Sequence, residues 1–152
     1  AGMTISLGCD GSATNDTSSL LDSLRMGYLM QTWHTKARGG GVSAYDMLKV
    51  ATVNGARTLG RPDLGSLEPG KGADLFMVDV EKLEYAGALH DPKNFLARVG
   101  ATGPVWMTMI NGRVVYKDGE LQGIDEEKLA ADGEAVCTRV IRQGNEAYKI
   151  FM

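Results

Sequence analysis

Apolar and polar positions change rhythm three times along the chain. Residues 3–8, Met3-Thr4-Ile5-Ser6-Leu7-Gly8, form a run that is apolar and too brief for a helix, which predicts a buried strand. Beyond a polar loop, Leu20, Leu21, Leu24 and Tyr28 recur at helical spacing and predict a helix through about Thr35. Asp16 or Thr17 can cap its start, and Gly39-Gly40-Gly41 ends it. Ser43 followed by Asp46 resembles a capping box, and Met47, Leu48, Val50 and Ala51 supply the next helix with its inner side. Gly55 is expected to interrupt that helix, leaving a helical turn over 56–59 that stops at Gly60-Arg61-Pro62.

The second half reads differently. Glu68-Pro69-Gly70-Lys71-Gly72 is a turn that introduces a strand over 74–80, and 105–110 predicts another. Asn111-Gly112 is a strong hairpin signal leading into Arg113-Val114-Val115-Tyr116, after which Lys117-Asp118-Gly119 turns the chain again. Asp125, Glu126 and Glu127 open a terminal helix at its positive end, with Leu129, Val136, Val140 and Ile141 as its expected buried stripe. Helices come first, a small antiparallel unit follows, and a helix closes the chain.

Composition narrows the function classes. A length of 152 residues with 43% hydrophobic content suits one folded body. A net charge of −3, with no basic block, gives no reason to expect nucleic acid or an anionic membrane as partner. No apolar run approaches the ~20 residues of a membrane helix, and no signal peptide is visible, so a soluble cytoplasmic protein is predicted. Cys9 and Cys137 are unpatterned and suggest neither a disulfide framework nor a zinc knuckle.

Asp10 carries the strongest chemical signal. It stands where the first predicted strand gives way to Gly11 and a polar loop, Ser12-Ala13-Thr14-Asn15-Asp16. Barrel enzymes place catalytic carboxylates at that point, although an Asp-Gly turn also needs no chemistry to explain it. Because the chain opens inside that strand, it is expected to be the last part of a larger protein, with the partners of Asp10 elsewhere.

Four segments occur in fixed order: Leu7-Gly8-Cys9-Asp10-Gly11-Ser12-Ala13-Thr14-Asn15-Asp16, then Ala51-Thr52-Val53-Asn54-Gly55-Ala56-Arg57-Thr58-Leu59-Gly60, then Leu64-Gly65-Ser66-Leu67-Glu68-Pro69-Gly70-Lys71-Gly72-Ala73-Asp74-Leu75, and finally Ile110-Asn111-Gly112-Arg113-Val114-Val115. Together they resemble the C-terminal third of a metal-dependent amidohydrolase, within the triazine hydrolase and aminohydrolase group. The Asp10 loop, with His90-Asp91-Pro92 downstream, is most similar to the 8-oxoguanine deaminase and hydroxyatrazine hydrolase subgroup.

The resemblance implies an α/β fold. Residues 1–62 would be the last strand and following helices of a (β/α)8 barrel, 63–122 a partial β-sandwich with an inserted loop at 81–104, and 123–152 a terminal helix and tail. It also implies a zinc or iron ion in the intact parent that activates water to hydrolyse a carbon–nitrogen or similar bond of a small nitrogen heterocycle, as in a deaminase. Asp10 would be both a metal contact and the proton carrier. The ion's other ligands would be histidines from earlier strands, whereas this chain has only His34 and His90, at positions that match no ligand. The isolated chain is therefore expected to hold no metal and to be inactive.

Ser12, Asn15 and His90 stand as candidate substrate contacts. Helix capping and Asx turns account equally well for Ser12, Asn15 and Asp16, and loop structure for His90 and Asp91. His34, near a helix end, suits the negative end of the dipole. The glycines at 65, 70 and 72 lack phosphate-loop spacing and are turn residues. Alternatives of other kinds are a stand-alone assembly or binding module, and a ring-opening relative of the imidazolonepropionase or dihydroorotase type. Unpaired strands in such a chain predict a homo-oligomer.

Overall fold

The computed structural model describes residues 2–149 except 13, 16, 38–40 and 102. Three helices come first: α1 (Leu20–Lys36), α2 (Ala44–Ala51) and α3 (Val53–Thr58). The strands β1 (Leu75–Met77), β2 (Met107–Ile110), β3 (Arg113–Lys117) and β4 (Glu120–Leu121) follow, with α4 (Phe95–Arg98) between β1 and β2. The last element is α5 (Glu126–Lys149).

Leu24, Ala44, Met47 and Ala97 form the main core, where α1, α2 and α4 meet. Small residues allow that approach. Gly27 of α1 lies so near α2 that an added Cβ would stand 2.9 Å from Met47 Cε. Leu7, Tyr28, Val42 and Leu96 close the rim. The segment between β1 and β2 adds a second contact, with Tyr85 edge-on to Phe95 at 5.1 Å between ring centroids.

Residues 3–8 are a correction to the expected buried strand. They pair with no strand among the described residues, and Met3 and Ile5 are exposed. A strand needs a ladder partner, and the described residues offer none there; of residues 3–8, Leu7 packs against the core. The start of α1 differs too. Ser19 is the cap, its Oγ accepting from the amide of Asp22 at 3.2 Å. Thr17 instead donates to Asn15, and Ser18 turns the chain at φ 47°. Asp16, Gly39 and Gly40 lie outside the described residues.

The Ser43 capping box forms, with Ser43 Oγ accepting the Asp46 amide and donating to its carboxylate. Lys49 and Ser43 together hold the Asp46 carboxyl below the usual carboxylate range. The break between α2 and α3 falls at Thr52, not at Gly55. The Thr52 hydroxyl folds back onto the carbonyl of Leu48, a bond that competes with the helix ladder.

The sheet order is β1-β2-β3-β4, antiparallel throughout. Asn111 and Gly112 both take positive φ, as a two-residue hairpin turn demands. Asp118 and Gly119 repeat this geometry and create β4, a strand that the apolar pattern does not predict. Val115 is the extra residue of a bulge, since Thr108 faces Tyr116 and Met109 faces Val114. The first two strands are shorter than their apolar runs. Asp79 accepts from the amide of Glu81 and turns the chain soon after β1. Trp106 spends its indole N–H on Asp118 at 2.6 Å.

The expected buried stripe of the terminal helix is also corrected. Asp125 caps α5 as anticipated, yet Leu129, Val136, Val140 and Ile141 are all exposed, because no described element covers that face.

Gly65 and Gly70 share one backbone conformation, at φ 89° and 88°, but not one environment. A Cβ at 65 would lie 2.8 Å from Val53 Cα, whereas at 70 it would meet open space. Gly70→Ala should cost about 1–2 kcal/mol in urea unfolding, the penalty of a left-handed conformation. Gly65→Ala should cost a further ~1–3 kcal/mol from overpacking. Equal costs would mean that the 65 turn does not press on α3.

Candidate functional site

The loop from Cys9 to Ser19 is built from its own hydrogen bonds. Gly11 supplies the hub: its carbonyl accepts from the amides of Thr14 at 2.9 Å and Asn15 at 2.8 Å, and from the Thr14 hydroxyl at 2.9 Å. Asn15 is half-buried and ties the loop ends together, donating through Nδ2 to the carbonyl of Cys9 at 2.8 Å and accepting from Thr17. Ser18 donates to Ser12 at 3.1 Å.

Asp10 heads this loop with φ 62°, a left-handed conformation that Asp tolerates better than most residues. One carboxylate oxygen accepts from the Gly11 amide at 2.8 Å, and the residue is exposed. The side chain is thus oriented by its own turn on an exposed residue.

Asp10, Ser12 and Asn15 therefore share one loop. His90 does not belong to it. It ends a short 3-10 turn, Ala88–His90, and among the described residues no hydrogen bond or ion pair joins it to Asp10, Ser12 or Asn15. The residues just after His90 brace the helices. Asp91 accepts from Asn94 Nδ2, and Asn94 Oδ1 accepts from the amide of Tyr45 at 3.0 Å. A side chain 49 residues away thereby serves an open amide in the first turn of α2, a role that no local pattern signals. Thr17 and Ser18 lock the loop, and neither carries a sequence signal for that role. His34 lies in the last turn of α1, the position expected for an imidazole at the dipole's negative end.

A single carboxylate is one donor, whereas a zinc site takes three or four protein ligands. Among the described residues no three His, Cys, Asp or Glu side chains are grouped to hold a metal. A surface depression of about 280 Å³ beside Leu67, Lys71 and Leu75 takes none of its lining from the Asp10 loop. No described helix is long and apolar enough to cross a membrane.

The pattern of the Amidohydrolase family matches residues 1–115. The chain belongs to the amidohydrolase family. It is 48% identical over 142 residues to the hydroxydechloroatrazine ethylaminohydrolase of Pseudomonas sp. strain ADP, a match covering 93% of this chain and 30% of that protein. It is 35% identical over 141 residues to the 8-oxoguanine deaminase of Pseudomonas aeruginosa, covering 93% and 30%. The crystal structure of an atrazine chlorohydrolase from Arthrobacter aurescens TC1 complexed with zinc superposes with a TM-score of 0.79 at 32% identity, covering 88% of this chain and 30% of that one. This amidohydrolase chain thus spans about 30% of the length of these relatives.

Asn15→Leu should remove the bond that closes the loop and leave the Cys9 carbonyl unpaired, a loss of about 1–3 kcal/mol. Amide exchange should speed up across residues 11–19 and stay unchanged in α2. Unaltered exchange in the loop would show that Asn15 does not hold it.

Proposed function

We propose that this chain is the C-terminal portion of a metal-dependent amidohydrolase that hydrolyses a carbon–nitrogen or similar bond on a nitrogen heterocycle, most simply a deamination. Residues 1–62 would complete its barrel, 63–122 would contribute part of a β-sandwich, and 123–152 would form a terminal helix and tail. The observation that carries this reading is Asp10, a carboxylate oriented by the Gly11 amide at the head of an internally bonded loop, in a chain of this family. The names of the relatives add support: an ethylaminohydrolase and an 8-oxoguanine deaminase both remove nitrogen from a heterocycle.

In that role the free carboxylate oxygen of Asp10 takes a proton from water and passes it to the departing nitrogen, as a general base and then an acid. The fixed turn matters because proton transfer needs hydrogen-bond reach before it needs a tuned pKa. Ser12 and Asn15 support the reading as residues that shape the loop and present polar groups toward a heterocycle. His90 would join them only if the Ala88–His90 turn faces the same substrate. Asp10 would also be this segment's contribution to a metal centre, zinc or iron, whose remaining ligands lie in other parts of the parent.

Two outcomes test this. The chain alone, purified, analysed for metal and assayed on guanine-type and triazine substrates, should carry no stoichiometric zinc and give no turnover. In a protein of the relatives' full length that contains this segment, Asp10→Asn should fold as before. It should lower kcat by about 10²–10⁴-fold. Retention of more than about a third of kcat, far inside that range, would remove Asp10 from the reaction.

A further inference from the structure

The segment between β1 and β2 belongs by sequence to the sheet, yet it packs on the helices. Its Asn94 accepts from the amide of Tyr45 in the first turn of α2, at 3.0 Å. Ala97 of α4, 1% exposed, sits in the core with Leu24 of α1. Gly100, just past α4, is buried against Arg25 of α1. A Cβ at Gly100 would stand 2.7 Å from Arg25 Cδ and 3.3 Å from its Nε. Helix α4 is thus wedged against both α1 and α2, with an arginine stem laid over its exit. Among the described residues the Arg25 guanidinium makes no ion pair, so the contact is that of the stem.

This wedge bears on both ends of the Asp10 loop. Leu7, ahead of the loop, packs on the core that Ala97 helps to form. Behind it the chain enters α1 at the Ser19 cap, and Arg25 follows about 9 Å further along the axis. Between those ends the loop is held by its own bonds, from Asn15 to Cys9 and from Ser18 to Ser12. A loop bonded to itself moves as a unit with whatever anchors its ends. The internal bonds give the Asp10 turn its shape, and the anchors decide where it stands. Place matters for proton transfer, since a misplacement of ~1 Å can cost ~10²-fold in rate.

We propose that Arg25 is a positioning residue. Its aliphatic stem, pressed on Gly100, holds α1 against α4 and so sets where the Asp10 carboxylate stands, on the reading of Asp10 as the proton carrier.

The test uses a protein of the relatives' full length that contains this segment. Arg25→Ala should lower kcat about tenfold, inside the range that misplacement allows, and leave KM within about twofold. Arg25→Met keeps the stem without the charge and should hold kcat within about twofold of the parent. A loss as large with Met as with Ala would give the effect to the charge and overturn the proposal. The combination with Asp10→Asn asks whether the effect passes through Asp10. Arg25→Ala with Asp10→Asn should be no slower than Asp10→Asn alone, because placement adds nothing once that side chain no longer takes the proton. A further loss of about tenfold in the double variant, or none with Arg25→Ala alone, would overturn the proposal. Asp10→Asn with kcat intact would remove the role of Asp10 and this proposal together. A slow Asp10→Asn beside an unaffected Arg25→Ala removes this proposal alone. In the 152-residue chain, Arg25→Ala should speed amide exchange across residues 9–24 and leave the β2–β3 hairpin unchanged. Equal acceleration in both regions would mean lost stability rather than lost placement, and would count against the role.

Discussion

Everything in the first half of the chain depends on how closely α1 can approach α2. Leu24 is 1% exposed, and the helices meet over glycine and alanine: Gly27, Ala44 and Ala97 remove the side-chain bulk that would keep them apart. A methyl added at Gly27 would meet the Met47 Cε at 2.9 Å, so the end of that flexible side chain would have to move aside. The Ser19 cap sets the start of α1 and with it the exit of the Asp10 loop.

Sequence patterns disclosed the elements better than their surroundings. The Ser43 box, the Asn111-Gly112 turn and the acidic start of α5 rest on bonds within a few residues, and all three form. Burial was legible only where a partner lies within the chain. Leu21, Leu24 and Tyr28 find one, while the same periodicity at Leu129, Val136, Val140 and Ile141 meets solvent. Residues 3–8 carry a strand's pattern without a ladder to join. A hydrophobic pattern states what a segment must bury, not what it buries it against.

The candidate site divides in the same way. Asp10 could be found from sequence because its position after an apolar run has chemical meaning, and its turn then proves to be left-handed. Ser12 and Asn15 were legible as loop residues, and their bonds to Ser18 and Cys9 bear that part out. The Asn94 bond to the α2 amide could not be read, since it spans 49 residues and follows no period. The family pattern matches residues 1–115, a span that holds all four ordered segments, and three of these coincide with turns or loops whose geometry is locally dictated.

The two tight turns of the sheet have a kinetic consequence. Asn111-Gly112 and Asp118-Gly119 join β2, β3 and β4 with two residues each, so those three strands can zip together through short-range contacts alone. Strand β1 must instead close a loop that runs from Met77 to Met107 and carries α4 within it. Loop-closure entropy is met before such a contact yields any stabilisation, which slows pairings distant in sequence. The β2–β4 meander is therefore the early-forming half of the sheet, and β1 is the strand whose arrival waits on the helices.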